Sequence, residues 1–183
     1  VDILVISKKP KPVMDYFVGM PEVARVFAHG ETKSMVKLKN GLDVDLRVVS
    51  EESYGAALNY FTGSKEHNVR LREIAIKKGC KLNEYGLFRG NKQIAGRSEE
   101  DLYVALGMDF IPPEMRENLG EIELAQKRKL PKLIGYGDLK GDLQVQTNWT
   151  DGESSIKEMA RAAAEAGLEY IAITDHTKRL AMT

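Results

Sequence analysis

Three aspartates fall where strands could present them together. In the run LDVDLRVV, Leu42 to Val49, apolar and charged residues alternate. Leu42, Val44, Leu46 and Val48 therefore share one face, and Asp43, Asp45 and Arg47 share the other. Asp2 stands at the head of a second strand-like run, VDILVI. Carboxylates converging from adjacent strands repel one another unless cations lie between them. Hard ions such as Mg²⁺ take carboxylate oxygens and keep positions open for substrate phosphates, and a pair of such ions supports in-line phosphoryl transfer. An aspartate on the open face of a hairpin is usually only a solvated charge, and spacing alone does not establish a metal site.

The chain has 183 residues and a mass of 20.4 kDa, enough for one ordinary domain or two small ones. Hydrophobic residues make up 43% and charged residues 30%, which excludes a disordered tail. No apolar run is long enough to cross a bilayer, and Val1 opens on a strand-like segment without a leader pattern. The single cysteine, Cys80, excludes an internal disulfide and points to a reducing, cytoplasmic setting. It reads as a small buried apolar residue.

The 27 basic and 27 acidic side chains cancel, but unevenly along the chain. Residues 65–97 hold nine Lys and Arg against three acids, whereas 98–125 hold eight acids and only Arg116. The basic stretch suits phosphate contacts or a solvated helix face, and charge alone does not choose between them.

The elements that must position these groups follow from periodicity and punctuation. Val1–Ser7 reads as a buried strand, and Val13–Val18 as a helix with Pro12 in its first turn. Pro21–Ala28 reads as a short turn or helix. Thr32–Lys39 and Leu42–Val49 form a hairpin about Asn40-Gly41. Helices are expected over Glu51–Phe61 and Lys65–Lys78, the latter stopped by Gly79. Lys81–Arg89 and Lys92–Ala95 suggest a hairpin at Gly90-Asn91. Ser98 caps a helix to Leu106, and Ile111-Pro112-Pro113 ends regular structure. After a basic linker over 126–137, strand DLQVQT, an Ala-rich helix over Ser155–Ala166 and strand EYIAITDH form a new unit.

Several of these segments resemble a known family. YFTGSKEHN, Tyr60 to Asn68, is similar to the nucleotide-binding signature of family X DNA polymerases, the group related to the beta-type repair enzyme. HGETKS, VDLRVV and LNEYGLF resemble, in the same order, its palm segment, last catalytic strand and thumb hairpin. GDLQVQTNWTDGESSIKEMARAAAEAGLEYIAITDH, from Gly141, resembles the opening of a PHP (polymerase and histidinol phosphatase) domain. Bacterial and archaeal members carry such a domain after the thumb.

The resemblance implies an α+β fold: a nucleotidyltransferase-type palm sheet (1–50), an α/β thumb (51–125), a linker (126–137), and the first βα unit of a β/α-barrel PHP domain (138–183). It implies a monomeric prokaryotic gap-filling polymerase that takes DNA and dNTP, with no membrane partner, of which this chain is a fragment. Asp2 and Asp45 match palm carboxylates that hold two Mg²⁺ ions, while Asp43 is a neighbour only. A further palm carboxylate would precede Val1, so the fragment alone is expected to be inactive.

Tyr60, Phe61, Gly63 and Ser64 match the sugar and triphosphate contacts, with a cis Gly63-Ser64 bond. Asn68 matches the reader of the incoming base, and Arg72 a template contact on the same helix face. Lys65 and Lys77 add cations for DNA. Glu84 matches a residue that positions this helix on thumb closure. His67 and His29 receive no role. In the PHP segment Asp151 and His176 match ligands for Zn²⁺ or Mn²⁺, and Asp142 and Asp175 match residues that orient them. Gln144 and Gln146 stand where the motif has histidines. Amide oxygens are the weaker ligands for such ions, which puts a 3′→5′ exonuclease activity in doubt. Two other readings remain: a non-catalytic DNA-binding module, and a PHP phosphoesterase.

Overall fold

The alternation in residues 43–49 produces a strand with one dry face. In the computed structural model, which describes residues 1–177, β1 (Asp2–Ile6), α1 (Pro10–Val18), β2 (Val23–His29), β3 (Lys33–Leu38) and β4 (Asp43–Val49) form a four-stranded sheet in the order β1-β4-β3-β2. Val36, Val44, Leu46 and Val48 lie buried beneath Met14 and Phe17 of α1. Each such side chain contributes about 1.5–3 kcal/mol by leaving water. Pro10 and Pro12 both sit in the first turn of α1, where no amide is needed. At the hairpin Gly41 has φ of 89°, and the Asn40 side chain accepts the Leu42 amide at 3.1 Å.

Three expectations are corrected here. Val1–Ser7 is not a buried strand: among the described residues β1 is the sheet's edge, paired with β4 alone, and all five of its side chains are exposed or half-exposed. Pro21–Ala28 contains strand β2, because Val23, Val26 and Ala28 find antiparallel partners on β3 across a bulged ladder. Pairing with a neighbour outweighed the turn signal of Pro21. Leu42 does not join the core face; it lies in the hairpin turn and is 45% exposed.

The next elements surround a second core. A 3₁₀ turn (Glu51–Ser53) leads into α2 (Tyr54–Thr62), then α3 (Lys65–Lys77), the sheet of β5 (Lys81–Asn83), β6 (Gly86–Arg89) and β7 (Lys92–Ala95), α4 (Glu99–Ala105) and α5 (Glu121–Gln126). Ser98 forms a capping box with Asp101. Gly55 lets α2 touch the Ser98 backbone; a Cβ there would lie 2.1–2.4 Å from Ser98 atoms. Cys80 is buried among Leu71, Leu82 and Leu106. Helix Glu51–Phe61 is thus divided into a 3₁₀ turn and α2. Regular structure resumes after Pro112, because Ile122 and Ala125 of α5 are buried in this core.

The chain separates into two compact units, Val1–Leu130 and Pro131–Thr183. In the second, β8 (Gly141–Val145) and β9 (Tyr170–Ile173) pair in parallel across α6 (Ile156–Glu165). Ser155 and Glu158 form the capping box that starts α6. Strand β8 stops short of Gln146 and Thr147. The end of the expected PHP segment, 178–183, lies outside the described residues.

Candidate active site and nucleotide cleft

Strand β1 runs parallel to β4 in a register that pairs Asp2 with Asp45. Paired residues of a parallel ladder project to the same side, so both carboxylates stand on the face opposite the Met14–Val44 core. Lys33, on β3, extends its ammonium to 3.1 Å from Asp45 Oδ2, and Lys37 pairs with Asp43 at 3.0 Å. A cation therefore already occupies one oxygen of Asp45, and the all-oxygen donor set of Asp2 and Asp45 fits a hard ion such as Mg²⁺. Asp43 lies beyond the pair, next to Val44.

Two residues along β4 from Asp45, Arg47 stacks its guanidinium on Phe61, 4.6 Å from the ring centre. This contact joins the carboxylate face to the end of α2. Phe61 in turn packs edge-on against Tyr60. Tyr60, Phe61, Thr62, Gly63, Ser64, Lys65, Asn68 and Arg72 line one cleft of about 390 Å³. The Gly63-Ser64 bond is cis.

Within the cleft, Asn68 donates from Nδ2 to the Tyr60 carbonyl at 2.8 Å, leaving its second amide proton and Oδ1 open. Ser64 is more committed. Its amide donates to the Arg116 carbonyl at 3.0 Å, and its hydroxyl oxygen accepts the His67 amide as the cap of α3. The hydroxyl proton and one lone pair of the oxygen are left to reach a ligand. Lys65 and Lys77 are exposed on α3. Glu84 lies in the β5–β6 turn, half-buried.

The second unit brings Asp151 and His176 together. His176 Nδ1 lies 2.9 Å from Asp151 Oδ2, and this bond, with one from Thr150, holds the Asp151 carboxyl below its ordinary pKa. Asp175 accepts the Thr147 hydroxyl and amide, which lowers its pKa too, and it reaches the same Thr150 hydroxyl at 3.3 Å. Asp142 does not orient that pair: its carboxylate accepts the Gln144 amide on its own strand. Gln146 donates to Thr174 Oγ1. Among the described residues no group of three or more His, Cys, Asp and Glu side chains converges as a metal cage.

Sequence reasoning missed the polar interior next to the cleft. His67 is fully buried, as are Tyr103 and Arg116, and Asn59 and Glu121 nearly so. A signal was available: His67, Leu71, Ile74 and Ala75 fall on one stripe of α3, so the buried face of the helix includes a histidine. Arg116 spans this interior, donating to Glu99 at 2.6 Å and to the Ile111 carbonyl at 2.9 Å.

Residues 57–117 match the DNA polymerase beta thumb family and residues 142–183 the PHP domain family. The thumb match thus follows the sheet with the paired carboxylates in the chain, and the PHP match follows the thumb. The chain is 37% identical to the DNA polymerase/3′-5′ exonuclease PolX of Bacillus subtilis over 98% of its own length and 32% of that protein's. It is 34% identical to human DNA-directed DNA/RNA polymerase mu over 53% of this chain and 20% of that one. Polymerase beta of Leishmania infantum, solved as a ternary P/T complex, superposes with a TM-score of 0.55 at 28% identity, covering 64% of this chain and 61% of that one. The chain is thus similar to family X DNA polymerases, with a match to the polymerase beta thumb followed by a match to the PHP domain. It spans about a third of the length of the Bacillus relative. No helix among the described residues is long and apolar enough to cross a membrane.

Proposed function

We propose that this chain is the palm, thumb and PHP opening of a polymerase that fills gaps in DNA by adding dNTPs to a primer 3′-hydroxyl. The division into palm (1–50), thumb (51–125), linker (126–137) and PHP segment (138–183) is part of that reading, as is a prokaryotic cytoplasmic setting. The observation that carries it is the continuity of the Asp2–Asp45 face, through Arg47 and Phe61, with the Tyr60–Arg72 cleft.

In this reading Asp2 and Asp45 hold Mg²⁺, which when bound would acidify the primer hydroxyl and neutralise the leaving pyrophosphate. Lys33, which pairs with Asp45 Oδ2, would have to release that oxygen for an ion held there. Tyr60 and Phe61 face the sugar, and Gly63 with the Ser64 hydroxyl faces the triphosphate. Asn68 offers its free amide proton to the acceptor edge of the incoming base. Lys65, Arg72 and Lys77 contact DNA phosphates, and Glu84 helps set the helix on closure. In the PHP segment, Asp151 and His176 would form at most a reduced Zn²⁺ or Mn²⁺ site, because Gln144 and Gln146 supply weak ligands.

Primer extension on gapped DNA by the full-length polymerase tests the reading. The parent is expected to extend with Mg²⁺ and dNTP, and Asp45→Ala to lose the activity while still binding DNA. Extension by Asp45→Ala at the parent's rate would refute it. Salt-sensitive DNA binding with no Mg²⁺-dependent dNTP binding would indicate a non-catalytic module instead.

A further inference from the structure

The turn that carries the cleft residues is bracketed by two buried polar side chains. Asn59 precedes Tyr60 near the end of α2, and His67 precedes Asn68 in the first turn of α3. They meet at one atom, the hydroxyl of Tyr103 on α4. Asn59 Nδ2 donates to it at 3.1 Å, and His67 Nε2 lies 3.0 Å from it. On its other side His67 Nδ1 lies 2.7 Å from Glu121 Oε1 of α5. The Glu121 carboxylate also accepts the Asn118 and Leu119 amides at 2.9 and 2.7 Å.

One proton arrangement satisfies all of these contacts. An ionised Glu121 only accepts, so His67 carries its proton on Nδ1. Nε2 is then an acceptor, to which Tyr103 donates its hydroxyl proton while accepting from Asn59. Burial holds His67 below its ordinary pKa, against the opposing pull of Glu121, and pushes Tyr103 up to about 12. Both groups are neutral at pH 7, as the arrangement requires.

Stability alone does not call for such a chain. Apolar residues of the same volume commonly serve a core as well or better, and a hydrogen-bonded junction adds direction: it fixes which atoms meet. We propose that Asn59, Tyr103, His67 and Glu121 are positioning residues for the nucleotide cleft. They set the separation between the end of α2 and the start of α3, and so the placement of Tyr60, Gly63 and Asn68 toward a bound dNTP. The proposal rests on reading that cleft as the nucleotide site.

Tyr103→Phe in the full-length polymerase removes one hydroxyl and both of its bonds. On gapped DNA with Mg²⁺, the KM for dNTP should rise about fivefold or more, the factor one hydrogen bond commonly supplies. The kcat should stay within about twofold and the affinity for gapped DNA should not change. Amide hydrogen exchange should quicken over residues 60–68 more than in β3 and β4. Asn59→Leu should do the same from the other end, and the double variant should add little to either. An unchanged KM in both variants, or exchange that quickens equally throughout Val1–Leu130, would show a merely structural role and overturn the proposal. A parent that extends DNA but does not lose nucleotide affinity on Tyr60→Ala or Asn68→Ala would instead remove the nucleotide-cleft reading, and this proposal with it.

Discussion

The carbonyl of Arg116 accepts the amide of Ser64 at 3.0 Å, so the cleft turn hangs from a segment well down the chain. That segment is anchored by the Arg116 side chain, which is fully buried and paired with Glu99 at the head of α4. Removing one partner of a buried ion pair leaves the other charge stranded and costs about 3–5 kcal/mol. Arg116→Met should therefore lower the melting temperature of the Val1–Leu130 unit by roughly 10 °C, measured by circular dichroism. The double variant Arg116→Met/Glu99→Leu should recover much of the loss. A single variant that melts with the parent would show that the pair contributes nothing.

The state of His67 sets a pH dependence. Its folded pKa lies below the ordinary 6.5 because of burial. The unfolded chain thus takes up a proton near pH 6.5 that the folded chain refuses. Stability from this group is fully present above about pH 6.5 and drains as pH falls through that value toward the folded pKa. Glu121 adds to the same trend: burial raises its pKa, but the bonds from His67 and the backbone amides outweigh this and leave it low. Its contribution is lost as pH falls further. Besides Glu121, the groups facing His67 are Tyr103, Arg116 and Glu117. Melting temperature should be flat above pH 7 and fall as the pH drops below 6.5. His67→Gln should flatten that slope, and an unchanged slope would assign it elsewhere.

Two glycines separate close packing from backbone freedom. At Gly55 an added Cβ would meet the Ser98 backbone, so Gly55→Ala should force α2 and α4 apart and cost about 3 kcal/mol. At Gly41, whose φ is 89°, nothing lies near. Gly41→Ala should cost about 1–2 kcal/mol through the left-handed backbone alone. Urea unfolding of both variants gives the comparison, and equal costs would contradict it.

Charge on α3 should show as counterion release. Alanine at Lys65, Arg72 or Lys77 should weaken binding to gapped DNA with little regard to sequence. Each should reduce the slope of log affinity against log salt by about 0.7–0.9. A variant with an unchanged slope makes no phosphate contact.

Where features were legible in the sequence, the cause was local. The Asn40-Gly41 hairpin, the Ser98 cap and the Tyr60–Asn68 turn are each determined within a few residues. Their chemistry is written where they stand. β2 was hidden because its strand character comes from β3 opposite, while Pro21 signals a turn. The exposure of β1 depends on its sheet position and not on its own apolar run. The interior beside the cleft was least legible: Tyr103, Arg116 and Glu121 come from segments far from His67 in sequence, and only folding brings them to it. His67 on the buried stripe of α3 was the one clue, and it names no partner.

The pairing of Asp2 with Asp45 is a matter of ladder register. A slip of one residue between β1 and β4 would set Ile3 opposite Asp45 and swing the Asp2 carboxylate through to the opposite side. Val5, packed against the α1 core, would be forced outward by the same slip. The greasy contacts of an edge strand thereby act as the alignment gauge for a charged pair they never touch, and trimming Val5 should blur chemistry before it loosens the fold.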